Sequence, residues 1–353
     1  MVVIFSLLLI SGIIAGQSLD LSSAREGLGI ITSVCLAYIM IEVGLEFSVE
    51  KRKLSAYGFD TVAATIAAVL PAFLWFIYFL VVFQSAWQPA LLSGLSSAPT
   101  SAGVLFAMMM TAGLSATWVF KKARTLAVLD DLVVILLLAP LQMIIHGFEW
   151  GSIIVVGLTC LFIFASFRWQ NVLNWPMGER WLLVYAILLT GVVFLLKHTF
   201  HLHLEVLIPA FMLGCLVRHS SQQQAVKAVR GVSLDRVIKG VFMFLVGFSF
   251  PKMTTGVIAF WPTLGHVVML TVLSNLGKSF LLFCYRKEVS WRERLALSVA
   301  MFPRGEVGAA VLLIGLGYGF SGYVTTLAML SLVLNLVLTG IFVWFVIKLL
   351  RLK

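Results

Sequence analysis

The chain has 353 residues, of which 61% are hydrophobic and 11% charged, and its mean hydropathy is +1.06. A soluble domain is about half apolar and about a quarter charged, so this composition excludes an ordinary soluble protein and predicts a chain that mostly faces lipid. The net charge of +10 does not indicate a nucleic-acid-binding protein, because the basic residues lie in short loops between apolar segments, as they do in membrane proteins.

Twelve apolar segments follow one another along the chain. A membrane-spanning helix needs about 20 mostly apolar residues, and we expect the shorter segments to pack against neighbours rather than to span alone. The first segment has no basic residue before it and no small-residue cleavage site, so it is interpreted as a membrane helix rather than a signal peptide. The predicted segments are 2–16, 27–47, 58–83, 88–114, 124–145, 151–167, 181–197, 203–217, 238–251, 256–285, 294–317 and 322–349.

The distribution of Lys and Arg predicts the orientation of these segments. With the N-terminus in the cytoplasm, 20 of the 25 Lys and Arg residues fall on the inner side, and only Arg25, Lys197 and Lys252 fall on the outer side. Positive charge concentrated in cytoplasmic loops is the usual orientation signal, so both termini are predicted to be cytoplasmic. The four cysteines lie in apolar stretches without metal-ligand spacing, and no cofactor is predicted.

Five ionisable residues lie deep inside predicted segments. Each would cost about 2.5–3.5 kcal/mol at a lipid-exposed helix centre, so they must face each other or water. A structural ion pair would explain one acid and one base, but it does not explain two adjacent aspartates in "VLDDLVV". Intramembrane charges of this kind predict a functional site. They are Asp130 and Asp131 in segment 5, Lys278 in segment 10, and Arg304 and Glu306 in segment 11.

Two predicted segments are interrupted by helix-breaking residues. Segment 4 contains Pro99 between clusters of small residues, and segment 11 contains Pro303 and Gly305 at its centre. Proline removes a helix hydrogen bond, and backbone freed at membrane depth must line a cavity or be buried in protein. The two segments run in opposite directions and occupy the middle of the triplets 3–4–5 and 10–11–12. This placement is typical of the binding site of an inverted-repeat transporter.

The chemistry of the cluster favours exchange of a cation for protons. Neighbouring carboxylates in a low-dielectric site cannot both ionise freely, so they hold protons or take a cation. Thr100, Ser101 and carbonyl groups at the break in segment 4 are oxygen ligands that suit hard cations. Lys278 is a possible second proton store, since a desolvated lysine that loses its carboxylate partner tends to lose its proton. Two protons per monovalent cation would make the exchange electrogenic.

At these residues the chain resembles the monovalent cation:proton antiporters, specifically the bacterial sodium/proton branch with a double aspartate. The resemblance rests on motifs that occur over the full chain in the family's order: "VGLEFSVEKRKL", "APTSAG", "VLDDLVV", "SNLGKSF" and "MFPRGEVG". It implies Na⁺ or Li⁺ and protons as the transported ions. Asp131 would be the main ion-binding carboxylate, Asp130 would pair with Lys278, and Arg304 and Glu306 would form a structural or pH-sensing pair.

The resemblance also implies an architecture: an all-α polytopic membrane protein of about twelve helices in the bilayer of the cytoplasmic (inner) membrane. Segments 4 and 11 would cross at their breaks. A single transporter domain, 1–353, would contain scaffold helices at about 1–47 and 181–251 that form a homodimer. The ion-transport core would lie at about 58–145 and 256–349, with a linker helix at about 151–167. Thirteen-helix relatives have one more N-terminal helix, which leaves the dimer contacts open.

Several alternatives remain at this point. One alternative is a K⁺/H⁺ antiporter, but the potassium-efflux branch usually has glutamine at the position of Asp130 and a C-terminal nucleotide-binding domain. Transport of Na⁺ is therefore favoured over transport of K⁺, which is not excluded, and Pro99 could alter the ion preference. A non-transporting sensor or channel of the same fold is a further possibility. An intramembrane aspartyl protease is disfavoured because its Gly-x-Gly-Asp pattern is absent, and an organic-anion symporter because the paired aspartates repel anions. Roles for Glu42 and for the histidines 198, 201 and 203 stay open.

Overall fold

A computed structural model describes residues 2–18, 25–46, 54–101, 109–110, 112–146, 178–200, 206–218, 234–250, 260–320 and 322–351. Within these ranges the chain is α-helical and contains no β-strand, as the composition predicts. The helices are α1 (Val2–Ser18), α2 (Arg25–Glu46), α3 (Leu54–Phe83), α4 (Trp87–Ser96), α5 (Trp118–His146), α6 (Glu179–Phe200), α7 (Leu207–Arg218), α8 (Leu234–Phe248), α9 (Phe260–Lys278), α10 (Trp291–Ala300), α11 (Glu306–Gly317) and α12 (Tyr323–Arg351). A 3₁₀ turn, Ser279–Phe283, continues α9.

Eleven of the twelve predicted segments contain a helix, and segment 6 (151–167) lies outside the described residues. Among the residues that the structure describes, five helices are long and apolar enough to cross a membrane: Gly27–Leu45, Gly58–Phe83, Glu179–Thr199, Phe260–Phe283 and Tyr323–Arg351. The all-helical architecture predicted from the sequence is thereby confirmed for the residues that the structure describes.

The chain divides into two compact units. Unit 1 contains Met1–Asp20, Lys51–Val134 and Val246–Lys353, and unit 2 contains Leu21–Glu50 and Ile135–Leu245. Two of the four boundaries fall within helices, one in α5 and one in α8. Unit 1 includes all ten candidate site residues proposed from the sequence. The assignment of scaffold, core and linker roles stays a prediction.

Unit 2 is built around α2, which packs against α6 and α7. Gly44 of α2 and Gly214 of α7 face each other so closely that a Cβ atom on either would overlap the backbone of the other helix. Glu42, whose role the sequence left open, forms an ion pair with Lys239 of α8 at 2.6 Å, and Lys239 also binds Asp235 at 2.7 Å. The pairing of a largely buried lysine with two carboxylates offsets part of the cost of its desolvation.

Unit 1 contains both interrupted segments. The first begins with α4, which starts at Trp87, runs for ten residues and is followed by non-helical backbone at 97–101. The second begins with α10, which starts at Trp291, also runs for ten residues and is followed by non-helical backbone at 301–305 before α11. A capping box formed by Ser290 and Glu293 holds the start of α10. The helix breaks predicted from Pro99, Pro303 and Gly305 are therefore confirmed.

Candidate functional site

The two breaks meet in unit 1. The backbone N–H of Ser101 donates a hydrogen bond to the carbonyl of Pro303 at 2.9 Å, so each break satisfies a polar backbone group of the other. Gly305 permits this approach, because a Cβ atom there would lie 2.5 Å from Ser101 Oγ. The backbone of Gly305 is extended, with a φ of −163°, so the requirement for glycine is steric. Pro99 is also buried at this crossing.

Asp130 is the centre of the polar contacts beside the crossing. Its Oδ2 atom lies 2.5 Å from Lys278 Nζ, and both side chains are fully buried. The hydroxyl of Thr100 donates to the same oxygen at 2.7 Å and lies 3.3 Å from the Met301 carbonyl. The Thr100 N–H approaches the other carboxylate oxygen at 3.5 Å. Three helical segments thus converge on one carboxylate, and the pairing of Asp130 with Lys278 expected from the sequence is present.

Asp131 follows on the same helix and is 1% exposed. Successive residues of an α-helix point about 100° apart, so the two carboxylates leave α5 in different directions. Burial of two adjacent acids is expensive unless a cation or a proton compensates them. Lys278 compensates the charge of Asp130 in this way.

Arg304 and Glu306 are both buried but do not pair with each other. The Arg304 guanidinium donates to the carbonyls of Met301, at 3.0 Å, and Ser274 of α9, at 3.2 Å. Glu306 accepts a hydrogen bond from the Ser101 hydroxyl at 2.8 Å. The described contacts include no ion pair between Arg304 and Glu306, and their role as a structural or pH-sensing pair stays a prediction. Glu306 is the first residue of α11, where the helix dipole favours an acid, whereas Arg304 extends from the break toward α9.

The ionisable side chains of this site do not cancel one another in charge. Its three carboxylates and two basic side chains carry a formal charge of minus one when all are ionised. A single monovalent cation or a proton would bring that charge to zero. The hydroxyl and carbonyl oxygens that the breaks bring to the site are the ligand type that hard cations prefer.

Comparisons with known proteins identify the family. The sequence model described as "Sodium/hydrogen exchanger, transmembrane" matches residues 2–349, which is nearly the whole chain. The chain belongs to the sodium/hydrogen exchanger family. As a member, it is a multi-pass membrane protein that exchanges a cation for protons, and it is a transporter rather than an enzyme.

A solved structure agrees in fold with this exchanger. It is the sodium proton antiporter MjNhaP1 from Methanocaldococcus jannaschii at pH 8, with a TM-score of 0.66 and 16% sequence identity. The match covers 98% of this chain and 92% of that one. No curated protein sequence matches the chain. The resemblance noted from the motifs is confirmed at the level of the family and the fold.

Sequence reasoning missed two polar residues near the site of this exchanger and a third, Asp60, at a distance from it. Ser274 supplies the carbonyl that Arg304 binds, and its hydroxyl lies 3.4 Å from Asn335 Nδ2 of α12. Ser274 precedes Lys278 by one helical turn, a spacing that could have placed it on the same face. Asn335 is 1% exposed, and an amide side chain in the middle of a predicted membrane segment was the signal available for it. Asp60, near the start of α3, was also overlooked and is 6% exposed.

Of the three histidines noted in the sequence, the structure describes only His198. His198 lies in unit 2, near the end of α6, and its side chain is exposed. His201 and His203 lie outside the described residues. Within the ranges that the structure describes, no group of three or more His, Cys, Asp or Glu residues could hold a metal ion.

Proposed function

We propose that this protein is an electrogenic antiporter that exchanges Na⁺ or Li⁺ for protons across the cytoplasmic membrane. Asp131 would bind the cation or a proton, with Thr100 and Ser101 placing oxygen ligands nearby, and Asp130 would couple the occupant to Lys278. The observation that carries this proposal is the fully buried Lys278–Asp130 ion pair beside a second buried aspartate, at the crossing of two broken helices.

The proposed exchange follows from competition for carboxylates. When the cation draws Asp130 into its coordination, Lys278 loses its counter-ion in a site without bulk water. A buried ammonium that loses its partner tends to give up its proton. Release of that proton together with one from Asp131 would send two protons against one cation. Each occupant would carry the site across the membrane by alternating access, and the net charge moved would make transport sensitive to voltage.

We further propose that both termini are cytoplasmic and that the protein is a homodimer of the inner membrane. The orientation is supported by the 20 Lys and Arg residues on the predicted inner side against three on the outer side. Modification of single cysteines introduced near each end, from either side of the membrane, tests the orientation. Cross-linking in native membranes tests the dimer.

The main experiment measures proton movement in everted vesicles from bacteria that lack their own antiporters. Respiration acidifies the lumen, and a pH-sensitive dye reports proton loss when NaCl, LiCl or KCl is added. We expect Na⁺ and Li⁺ to dissipate the gradient in the wild type but not in Asp131→Asn. Glu288→Gln, which removes a half-exposed acid outside the site, is the matched control and should behave as the wild type.

Each outcome of the vesicle experiment has a distinct meaning. A response to K⁺ alone would show that the cation preference is wrong and favour the K⁺/H⁺ alternative. Cation conductance without proton movement would favour a channel. Wild-type activity in Asp131→Asn at equal abundance would refute the role of that carboxylate. If clamping the membrane potential at different values leaves the exchange rate unchanged, the exchange is not electrogenic.

A further inference from the structure

A second polar cluster joins predicted segments 5 and 10, the same two segments that the Asp130–Lys278 ion pair joins. It lies at the ends of those segments, away from the ion pair. Asp60 of α3 accepts hydrogen bonds from Lys122 Nζ, at 3.0 and 3.1 Å to its two oxygens. It also accepts one from the Tyr285 hydroxyl at 2.7 Å. Lys122 lies in the second turn of α5, and Tyr285 follows the 3₁₀ turn that continues α9. We name Asp60, Lys122 and Tyr285 the latch.

Aromatic contacts reinforce the latch. Lys122 Nζ lies 4.6 Å from the centroid of the Tyr285 ring and 5.7 Å from that of Trp118, within the range of cation–π attraction. Trp118 and Phe59 both meet the Tyr285 ring edge to face, at 5.5 and 5.2 Å. Burial and the hydrogen bond to Asp60 raise the pKa of the Tyr285 hydroxyl, so it stays protonated and remains a donor at neutral pH.

The backbone of Tyr285 is strained in a way that needs support from its surroundings. Its φ is +56°, in the left-handed region that bulky side chains avoid. Residues held there persist only where neighbouring contacts determine the conformation, and they cluster at functional positions. The ring of Tyr285 is nevertheless 4% exposed and contacts all the groups described above. The chain therefore accepts a strained residue to place this ring and hydroxyl against Asp60 and Lys122.

The latch and the site lie on the same two segments at a fixed spacing. Lys122 precedes Asp130 by eight residues on α5, or about 12 Å along the axis at 1.5 Å per residue. Tyr285 follows Lys278 by seven residues. The two segments are thus joined once by the Asp130–Lys278 ion pair and a second time by the latch. A second connection restricts both the separation of two helices and their rotation, which one contact cannot do.

We propose that Asp60 is a positioning residue for ion exchange, which with Lys122 and Tyr285 holds α5 against the end of α9 and so maintains the geometry of Asp130 and Lys278. The inference rests on the proposed function. Asp60 does not touch the ion-binding carboxylates, and it acts through the two segments it joins. A preorganised site binds more tightly because binding does not have to order it, so loss of the latch should weaken cation affinity before it slows transport.

The test uses purified full-length protein in proteoliposomes, with KM for Na⁺ and Vmax measured separately. We expect Asp60→Asn and Lys122→Gln to raise KM about five- to tenfold while changing Vmax less than twofold. The double variant should be no worse than either single variant, because each breaks the same latch. Tyr285→Phe, which removes only the hydroxyl, should give a smaller rise. Lys122→Arg keeps the charge and should stay within twofold of the wild-type KM.

Glu288→Gln, whose carboxylate lies 3.9 Å from Lys122 and is half-exposed, should keep the wild-type KM. A purely structural role would lower the melting temperature or the folded yield and leave KM unchanged in the folded protein, and that result would overturn the inference. Strictly additive effects on KM in the double variant would also overturn it. If Asp60→Asn does not fold, KM and the melting temperature of Tyr285→Phe are compared in the same way to test the inference. A wild type that moves no cation refutes the proposed function and this role with it, whereas an active wild type with unchanged KM in the variants refutes the role alone.

Discussion

The crossing of the two helix breaks makes Gly305→Ala the sharpest test of the site geometry. A Cβ atom at position 305 would lie 2.5 Å from Ser101 Oγ and 2.7 Å from Ser101 Cβ. Non-bonded carbon atoms pack at about 3.5–4.0 Å, so one break must move by about 1 Å relative to the other. That displacement would stretch the 2.9 Å bond from the Ser101 N–H to the Pro303 carbonyl beyond hydrogen-bonding range.

The expected effect is large on transport and moderate on stability. Overpacking of a dense interior costs about 1–3 kcal/mol, which a membrane protein of this size can tolerate. A displacement of about 1 Å in reacting groups can cost about a hundredfold in rate, and Thr100, beside Ser101, binds Asp130 directly. We therefore expect Gly305→Ala to reduce antiport by a factor of about 10 to 100 at normal abundance.

The assay is sodium-driven proton movement in everted vesicles, with protein abundance measured in the same membranes. Gly317→Ala is the matched control, because it lies on the same helix α11 and an added Cβ meets no atom within 4 Å. Ser101→Gly should restore part of the activity when combined with Gly305→Ala, since it removes the atoms that clash. Wild-type activity and KM in Gly305→Ala would refute the close crossing of the breaks.

Three further predictions concern individual contacts. Lys278→Met leaves Asp130 without its ion-pair partner and should lower the free energy of unfolding by about 3–5 kcal/mol. This loss should appear as a fall in melting temperature, which adding Asp130→Asn should partly reverse. An unchanged melting temperature would contradict the prediction. Thr100→Val removes a hydrogen bond to a charged group, worth about 1.5–3 kcal/mol, and should raise KM for Na⁺ about tenfold or more. Thr100→Ser keeps the hydroxyl and should leave KM near normal, so equal KM values for both variants would count against this contact. Burial raises the pKa of Tyr285 in the folded protein above its usual value of 10. Above about pH 10 the tyrosine therefore ionises in the unfolded chain but not in the folded one, which lowers the free energy of unfolding. The melting temperature of the wild type should fall more steeply above that pH than that of Tyr285→Phe, and parallel curves would refute the argument.

The motif-bearing segments illustrate how far sequence reasoning reached. The breaks at Pro99 and Pro303 followed from proline chemistry, which acts within one helical turn and so is visible locally. Burial of Asp130, Asp131 and Lys278 followed from the cost of placing charge in lipid, which requires no knowledge of partners. The pairing of Asp130 with Lys278 came from the family resemblance, because charge counting alone allowed Arg304 as the partner equally well.

Some contacts were not foreseen from the sequence, for different physical reasons. The family resemblance implied that Arg304 and Glu306 act as a pair. The tertiary structure instead places a carbonyl of α9 beside Arg304 and Ser101 beside Glu306. Asp60 gave little signal because it lies near the start of a segment, where an acid is commonly solvated.

By itself, the sequence determined the class of protein, the helical type of the described segments, the sites of helix breakage and five of the charges that are buried. These are consequences of local composition, since hydrophobicity, proline and charge act on the residues that carry them. Only the tertiary structure decided which groups meet: Asp130 and Lys278 across 148 residues of chain, Asp60 and Tyr285 across 225, and Ser101 and Glu306 across 205. Distances of that kind depend on how helices pack, and packing is set by the summed contacts of many side chains rather than by any one motif.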